Sequence, residues 1–243
     1  LRGGNGMSLK KLMKMALVST TAALVLAGCG GKDDSKSKDA LARIKDDKKI
    51  VFGVKYDTRL FGLKNPSTGK VEGFDIDLSK ALAKEMFGND VKPEYIEVTS
   101  KTRVGLLNNG KVDAVDATMT INEERKKEVD FTDVYFNAGQ SLLVKKGSKV
   151  HGLADLKKGT KVLAVKGSTS AVNIRQKAPD TTVLEFENYA EAFTALKAGK
   201  GDALTTDDSI LYGMKEEDPS FDLVGGTFTE ERYGIAVKKS NKD

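Results

Sequence analysis

The chain has 243 residues, of which 39% are hydrophobic and 31% are charged, as is ordinary for a soluble globular protein. It contains one cysteine and one histidine, which excludes an internal disulfide and a zinc site built from a Cys/His cluster. The net charge of +5 comes largely from lysine-rich segments, and no tryptophan is available for base stacking. We therefore expect no nucleic-acid partner, no metal, no cofactor and no catalytic residue.

The first 28 residues are typical of an export signal. Basic residues precede an apolar core at 15–27, which is too short to span a bilayer comfortably. The core ends in Leu26-Ala27-Gly28-Cys29, which resembles the lipobox of bacterial lipoproteins. An ordinary signal peptide with an incidental cysteine is the alternative. We expect cleavage before Cys29, a lipid on Cys29, a flexible tether over 29–43, and a protein held on the extracytoplasmic face of a bacterial membrane.

Two short patterns occur twice, in the same order. Residues 54–58 (VKYDT) correspond to 165–169 (VKGST), and 110–115 (GKVDAV) correspond to 199–204 (GKGDAL). The first pattern of each half follows an apolar run that stops abruptly in polar residues, as a buried parallel strand does. Ligands of open α/β sheets bind outside the carboxyl ends of the strands, so two similar lobes that face each other predict a cleft.

Strands and helices are predicted to alternate along the chain. For the first half we predict helices at 40–47, 74–87, 102–108 and 123–129, and strands at 50–54, 91–98 and 112–119. For the second half we predict strands at 142–144, 162–165, 203–205 and 233–237, and helices that begin at 169, 189 and 209. The chain crosses between the lobes near 135–139 and again near 232–234, which makes a two-strand hinge.

Several helix details follow from local signals. Gly73 and Gly88 bound the helix at 74–87, and its apolar face is expected to carry Leu78, Leu82 and Met86. Thr120 and Glu123 have the spacing of a capping box. Asn188 is the expected cap of the helix that begins at 189.

The repeat also identifies corresponding residues at strand ends. Thr118 corresponds to Asp207, and Asp57 corresponds to Ser168. Arg125 lies in the first turn of a helix just beyond the strand that ends near Thr118, where a guanidinium can hold a carboxylate in bidentate fashion.

A negative charge opposite to that of Arg125, and the start of the helix at 169, are also available at the predicted cleft. Asp207 offers a negative group from the other lobe, and the helix start at Thr169 and Ser170 supplies free N–H groups and hydroxyls for an anion. Together with Arg125 these residues predict a clamp for a zwitterion.

Each of these residues also has a structural interpretation. Arg125 could be one charge of a solvated helix face, and Asp207 could cap the helix that follows it. Thr169 and Ser170 could be plain helix caps, and Lys166 could extend from a strand end to solvent.

Three segments resemble a known family: 73–77 (GFDID), 117–125 (ATMTINEER) and 129–132 (VDFT). They are similar to the signatures of the family 3 solute-binding proteins, which are polar amino-acid receptors of ABC importers, and the similarity extends over 44–238. The resemblance implies a type II periplasmic-binding-protein-like fold, with two α/β lobes joined by a two-strand hinge. It also implies that the protein captures an amino acid in the cleft, closes, and delivers the ligand to an ABC permease.

The resemblance also sets the domain boundaries. The first lobe is expected to comprise 44–135 plus 234–243 and to be incomplete at its C-terminal end. The second lobe is expected to comprise 136–233. We expect a monomer.

The roles of single residues are carried over from the resemblance. Arg125, Thr120 and the Ser170 N–H would hold the α-carboxylate of the ligand. Asp207, the Thr118 carbonyl and the Thr120 hydroxyl would hold the α-ammonium. The remaining residues of the expected pocket surround the ligand's side chain or lie at the helix start: Asp57, Phe61 (with Leu60 as its alternative over the aliphatic part), Ala117, Lys166, Thr169 and Thr206. Asp57 and Lys166 offer an acceptor and a donor, which suits a carboxamide and favours glutamine, with glutamate second.

Some residues depart from the family pattern. Asp116 lies in an apolar strand, where an unpaired carboxylate is costly and tends to stay protonated. Ser100 stands where glutamine binders often have an aromatic wall, and Arg232 replaces a common proline. Two alternatives to an amino-acid receptor are a dehydratase-like enzyme on the same scaffold and a sensory ligand-binding domain.

Overall fold

The structure, a computed structural model, describes residues 40–239. The predictions for the signal segment and for Cys29 lie outside the described residues. Within 40–239, we find no helix that combines the length and the apolar character needed to cross a membrane.

The first lobe is built on a five-stranded sheet. Its strands are β1 (Lys49–Val54), β5 (Lys92–Glu97), β6 (Ala114–Val115), β7 (Val129–Phe131) and β15 (Ala236–Lys238). They lie in the order β5-β1-β6-β15-β7, with β1 parallel to β5 and β6, and β15 antiparallel to β6 and β7.

Four helices and a small sheet complete this lobe. The helices are α1 (Ala40–Asp47), α2 (Phe74–Phe87), α3 (Arg103–Asn108) and α4 (Glu123–Lys126). The small antiparallel sheet consists of β2 (Asp57–Thr58), β3 (Gly62–Lys64) and β4 (Val71–Glu72).

The second lobe repeats the plan of the first. Its strands are β9 (Gln140–Lys145), β10 (Lys161–Val165), β11 (Thr182–Phe186), β12 (Ala203–Asp207) and β13 (Phe221–Val224). They lie in the order β11-β10-β12-β9-β13, with β9 antiparallel to β12 and β13. Its helices are α5 (Thr169–Lys177), α6 (Tyr189–Lys197) and α7 (Asp208–Glu217), with a 3₁₀ turn at Leu153–Asp155. In both sheets the first parallel strand lies between the second and the third, which confirms the two α/β lobes predicted from the repeat.

Each sheet is covered on both faces. On β1, Ile50, Phe52 and Val54 pack into one apolar cluster, whereas Val51 packs against another. This alternation follows from the two-residue period of a strand. The sheet of the second lobe likewise has a cluster around Leu163 and a second cluster around Val162. The strands are therefore rigid supports whose carboxyl ends position the candidate site.

Two short strands join the lobes. β8 (Phe136–Ala138) and β14 (Glu231–Tyr233) pair antiparallel, with Phe136 opposite Tyr233. They lie where the sequence predicts the two crossings. Phe61 of the first lobe packs edge-on against both rings, with ring centroids 5.1 Å from Phe136 and 6.1 Å from Tyr233.

Some elements differ from their predictions. The strand predicted over 112–119 pairs as β6 over two residues, and beyond it Thr118 takes a φ of 47°, which lies outside extended structure. The strand predicted over 233–237 is divided between β14 and β15, and the Gly234 N–H at the break donates to the Met119 carbonyl at 3.1 Å. The strands β11 and β13 were not predicted.

Two local predictions differ from the structure. Leu78 and Leu82 of α2 pack against the core as predicted, but Met86 is exposed. The capping box is absent: Asn122, rather than Thr120, caps α4 by accepting a hydrogen bond from the Arg125 N–H at 2.8 Å. Helix α1 matches the helix predicted at 40–47.

Candidate ligand-binding site

The two strand ends paired by the repeat carry buried polar groups. Thr118 follows β6, and its N–H donates to Asp75 Oδ2 at 3.0 Å while its hydroxyl donates to the Ala117 carbonyl. Asp207 ends β12 and accepts a hydrogen bond of 2.6 Å from the Tyr233 hydroxyl. Asp207 thus ends its strand, whereas Thr118 lies three residues beyond the end of β6, and both are buried polar residues.

Asp207 is a buried carboxylate close to the hinge. Burial and the nearby Glu231 raise its pKa to about 7, whereas the Tyr233 hydrogen bond and the Arg125 charge oppose the rise. Its Oδ1 also lies 3.5 Å from the Ser170 hydroxyl. Among residues 40–239, no ion pair with a cation is found at the Asp207 carboxylate, and an ammonium group would supply one.

Arg125 reaches from one lobe to the other. Its Nη1 donates to the Thr120 carbonyl at 2.6 Å, and its Nη2 donates to the Gly167 carbonyl of the second lobe at 3.2 Å. The Asn122 cap fixes the first turn of α4 and so aims the guanidinium at the junction. Arg125 is half-buried, unlike the neighbouring Lys126, which is exposed and pairs with Glu123.

The other predicted residues at the helix start lie near this pair. Ser168 caps α5 by accepting from the Ala171 N–H at 3.1 Å, so neither Thr169 nor Ser170 is the cap. Thr169 donates to Glu231 at 2.9 Å, across to the hinge strand β14. Ser170 is buried, and its carbonyl accepts from the Gln140 side chain.

Asp57 and Lys166 have separate partners. Asp57 Oδ2 accepts from the N–H groups of Tyr189 at 2.7 Å and Ala190 at 3.1 Å, at the start of α6 in the opposite lobe. Lys166 is exposed and pairs with Glu187, which raises the pKa of the Lys166 amine. The structure therefore does not bring these two side chains together as a donor and acceptor pair.

The remaining predicted residues are buried at the junction. The Thr206 hydroxyl donates to the Tyr189 hydroxyl at 3.0 Å. Ala117 is fully buried, and its carbonyl also accepts from Arg103 Nη1 at 2.8 Å. Phe61 belongs to the aromatic cluster at the hinge.

Sequence reasoning missed two buried cations of the junction, Lys55 and Arg103. Lys55 is 1% exposed, and its Nζ donates to the Ser100 hydroxyl at 3.0 Å and lies 5.0 Å from the centre of the Tyr189 ring. Arg103 is also buried, and its Nε has no hydrogen-bond partner among the described residues. The one signal for Lys55 is its position in the first repeat pattern, where it corresponds to Lys166.

Two buried carboxyl groups, Asp75 and Asp116, lie next to the partly buried Tyr135 near the hinge. Asp75 accepts from the Thr118 N–H and, at 3.0 Å, from the Tyr135 hydroxyl. Asp116 is fully buried, and neither of its carboxyl oxygens has a hydrogen-bond partner within residues 40–239. Burial and the Asp75 charge raise the pKa of Asp116 well above its usual range, and the Tyr135 hydroxyl nearby opposes this only in part. Asp116 is therefore the protonated member of the pair at neutral pH.

Comparisons with known proteins agree with this architecture. The chain is 63% identical over 237 residues to the ABC transporter glutamine-binding protein GlnH of Bacillus subtilis (strain 168), covering 95% of this chain and 87% of the relative. It is 56% identical over 242 residues to the glutamine-binding protein of Geobacillus stearothermophilus, covering 94% and 92%.

Among solved structures, an ancestral arginine-binding protein bound to glutamine is 43% identical, with a TM-score of 0.74 over 80% of this chain and 85% of that one. The cysteine-binding protein from Campylobacter jejuni is 31% identical, with a TM-score of 0.78 over 84% and 82%. Residues 50–241 match the family described as bacterial extracellular solute-binding proteins, family 3. The chain belongs to this family.

Proposed function

We propose that this protein captures glutamine in the cleft between its lobes and delivers it to an ABC permease. The observation that carries the proposal is the pair formed by Arg125 and Asp207, which brings opposite charges from the two lobes to one junction. A free amino acid carries an ammonium group and a carboxylate on its α-carbon, and these two charges are opposite to those of Asp207 and Arg125. The two glutamine-binding relatives support the choice of glutamine, and glutamate is the second candidate.

The α groups of the ligand lie between the two charges in this proposal. Arg125, Thr120 and the Ser170 N–H hold the carboxylate, with the Thr169 hydroxyl at the same helix start. Asp207, the Thr118 carbonyl and the Thr120 hydroxyl hold the ammonium. On closure the charged groups of the ligand lose their water, and the opposite charges of Arg125 and Asp207 take its place. Binding and closure therefore favour each other.

The side chain of the ligand extends toward Asp57 in this proposal, whereas Lys166 stays paired with Glu187 at the surface. Thr206 and Ala117 lie nearby, and Phe61 covers the aliphatic part. In the closed arrangement Asp57 is bonded to the start of α6 and Lys166 to Glu187. Contact of Asp57 with a ligand therefore requires its hydrogen bonds to the start of α6 to be exchanged.

The remaining parts of the proposal concern the location of the protein. We propose cleavage before Cys29 and lipidation of Cys29, so that a monomeric receptor is held at the outer face of the membrane beside its permease. The two lobes are proposed to comprise 44–135 with the segment from 234 onward, and 136–233. No reaction is catalysed in this scheme, and the ligand leaves chemically unchanged.

A thermal-shift screen against the twenty amino acids tests the proposal. A ligand that binds only the native state raises the melting temperature, so we expect the largest increase with L-glutamine. D-Glutamine is the control, since it carries the same groups with the opposite hand. A screen in which no amino acid raises the melting temperature would contradict the proposal. Calorimetric titration of each active amino acid then gives its dissociation constant.

A further inference from the structure

The two lysines that correspond in the repeat have opposite environments. Lys55 follows β1 and Lys166 follows β10, each as the second residue of its pattern. The side chain of Lys166 is 37% exposed and pairs with Glu187 on the surface. Lys55 is 1% exposed and lies at the lobe junction, where its Nζ faces the Tyr189 ring of the second lobe.

The Lys55 amine is under-used as a hydrogen-bond donor. An ammonium group has three N–H donors, and the structure gives Nζ one hydrogen-bond acceptor, the Ser100 hydroxyl at 3.0 Å. Ser100 itself lies against the opposite lobe, because its carbonyl is within 2.9 Å of the point where a side chain at Gly167 would begin. The amine is therefore buried at the junction with unused donors, which is costly unless an acceptor arrives there.

The charges around Lys55 favour the binding of a hydrogen-bond acceptor to its amine. Burial, followed by the charge of Arg103, lowers the pKa of Lys55 to about 7, and Arg125 acts in the same direction. Asp57 and Asp75 oppose the shift in part. Asp57 is already bonded to the start of α6, and Asp75 to Tyr135 and Thr118. An oxygen atom of the ligand would therefore serve as the hydrogen-bond acceptor for Lys55, beside the charges of Arg103 and Arg125.

We propose that Lys55, rather than Lys166, donates the hydrogen bond that recognises the oxygen at the end of the ligand's side chain. The inference rests on the proposed function, because it assumes that an amino acid binds at this junction. It assigns the discrimination among polar amino acids to the first lobe, with Ser100 and Tyr189 holding the amine in position. Lys166 then serves as a surface partner of Glu187.

The first test compares two matched variants, Lys55→Met and Lys166→Met, by calorimetric titration with glutamine. Loss of a hydrogen bond from a charged donor at a buried site lowers affinity by about 10- to 100-fold, and we expect this for Lys55→Met. For Lys166→Met we expect a change of less than about threefold, because an exposed pair contributes little. The reverse order, with Lys166→Met losing affinity and Lys55→Met retaining it, would overturn the inference.

The second test uses the unaltered protein and so does not depend on how well a variant folds. NMR of the protein with ¹⁵N-labelled lysines follows the Nζ signal of Lys55, identified by its titration midpoint near pH 7. A bound acceptor favours the charged amine, so glutamine should shift this signal, and glutamate, which is an anion, should raise the midpoint further. A purely structural Lys55 would keep the same midpoint with either ligand, and that result would contradict the inference. Failure of the unaltered protein to bind any amino acid would instead contradict the proposed function.

Discussion

The carboxylate of Asp57 in the first lobe accepts a hydrogen bond of 2.7 Å from the backbone N–H of Tyr189 in the second lobe. The bond lies at the start of α6, where the helix dipole favours a negative charge, and a second bond from Ala190 reinforces it. Because this contact involves only protein atoms, it favours the closed arrangement whether or not a ligand is present.

Replacement of Asp57 by asparagine should therefore open the ligand-free protein. An uncharged side chain loses the favourable interaction with the helix start, which at a partly buried site is worth about 1–2 kcal/mol. Such a loss shifts the ratio of closed to open molecules by about 5- to 30-fold. Small-angle X-ray scattering without ligand should show a larger radius of gyration for Asp57→Asn.

Arg59→Ala is the control for this prediction. Arg59 forms the neighbouring contact between the lobes, a 3.7 Å ion pair with Glu216 on the surface. An exposed pair is worth at most about 1 kcal/mol, so its removal should change the radius of gyration little. Equal scattering from Asp57→Asn and the unaltered protein would show that Asp57 does not hold the lobes together.

Removal of the Arg125 side chain should abolish measurable amino-acid binding. The variant Arg125→Ala leaves the ligand carboxylate buried without its cation, which costs at least about 100-fold in affinity. Calorimetric titration with glutamine measures the loss. Lys126→Ala removes the adjacent, exposed cation of the same helix and should bind as the unaltered protein does. Retained affinity in Arg125→Ala would remove Arg125 from the site.

A methyl group at Gly167 should prevent full closure. A Cβ added there would lie 2.7 Å from Lys101 Cα and 2.9 Å from Lys101 N, both in the backbone of the opposite lobe. We expect Gly167→Ala to weaken glutamine binding by at least about tenfold, measured by calorimetry, because interfaces packed this closely do not adjust without cost.

Gly199→Ala separates this steric effect from backbone strain. Gly199 has a φ of 70°, close to the 74° of Gly167, but a Cβ there would meet no atom within 4 Å. Both variants should therefore lose similar melting temperature, whereas only Gly167→Ala should lose affinity. An equal loss of affinity in both variants would point to strain rather than to contact between the lobes.

Asp116 should make the protein less stable as the pH rises. Its folded-state pKa is raised to about 9, whereas an unfolded aspartate titrates near about 4. Between these values the folded state retains a proton that the unfolded chain releases, so the free energy of unfolding falls with rising pH. The variant Asp116→Asn has no proton to lose, and its stability relative to the unaltered protein should increase from pH 5 to pH 8.

Urea denaturation at several pH values measures this difference. Asp90→Asn is the control, because Asp90 is exposed in the turn after α2 and should follow the unaltered protein throughout. If Asp116→Asn also kept a constant stability difference across the range, the carboxyl would not be the buried, protonated group described here.

The sequence predicts those features that depend on local pattern. The repeat anticipates two similar sheets because the same polar residues end corresponding strands, and it selects Asp207 without knowledge of its surroundings. The first hinge crossing lies between the two copies of the pattern, and the second lies after the second copy, where the chain returns to the first lobe.

The features that were missed depend on distant neighbours. Lys55 looks like an ordinary lysine at a strand end, and only the approach of Ser100 and Tyr189 from other elements makes it a buried cation. Thr120 fits a capping box in sequence, but Asn122 has the extended backbone that a cap requires. The contact of Asp57 with the start of α6 was not predicted, because the two residues lie 132 positions apart in the sequence.

The hydroxyl of Tyr233 donates to Asp207 from one of the two strands that connect the lobes. The ammonium group of a ligand bound to Asp207 is thus one hydrogen bond away from the connecting strand β14. Ligand binding can therefore influence the rotation of the lobes without a change in any intervening helix. We expect Tyr233→Phe to alter the rate of glutamine release, measured by stopped-flow fluorescence, more than it alters equilibrium affinity. Release of the ligand and opening of the lobes about the strands β8 and β14 would then occur in one kinetic step.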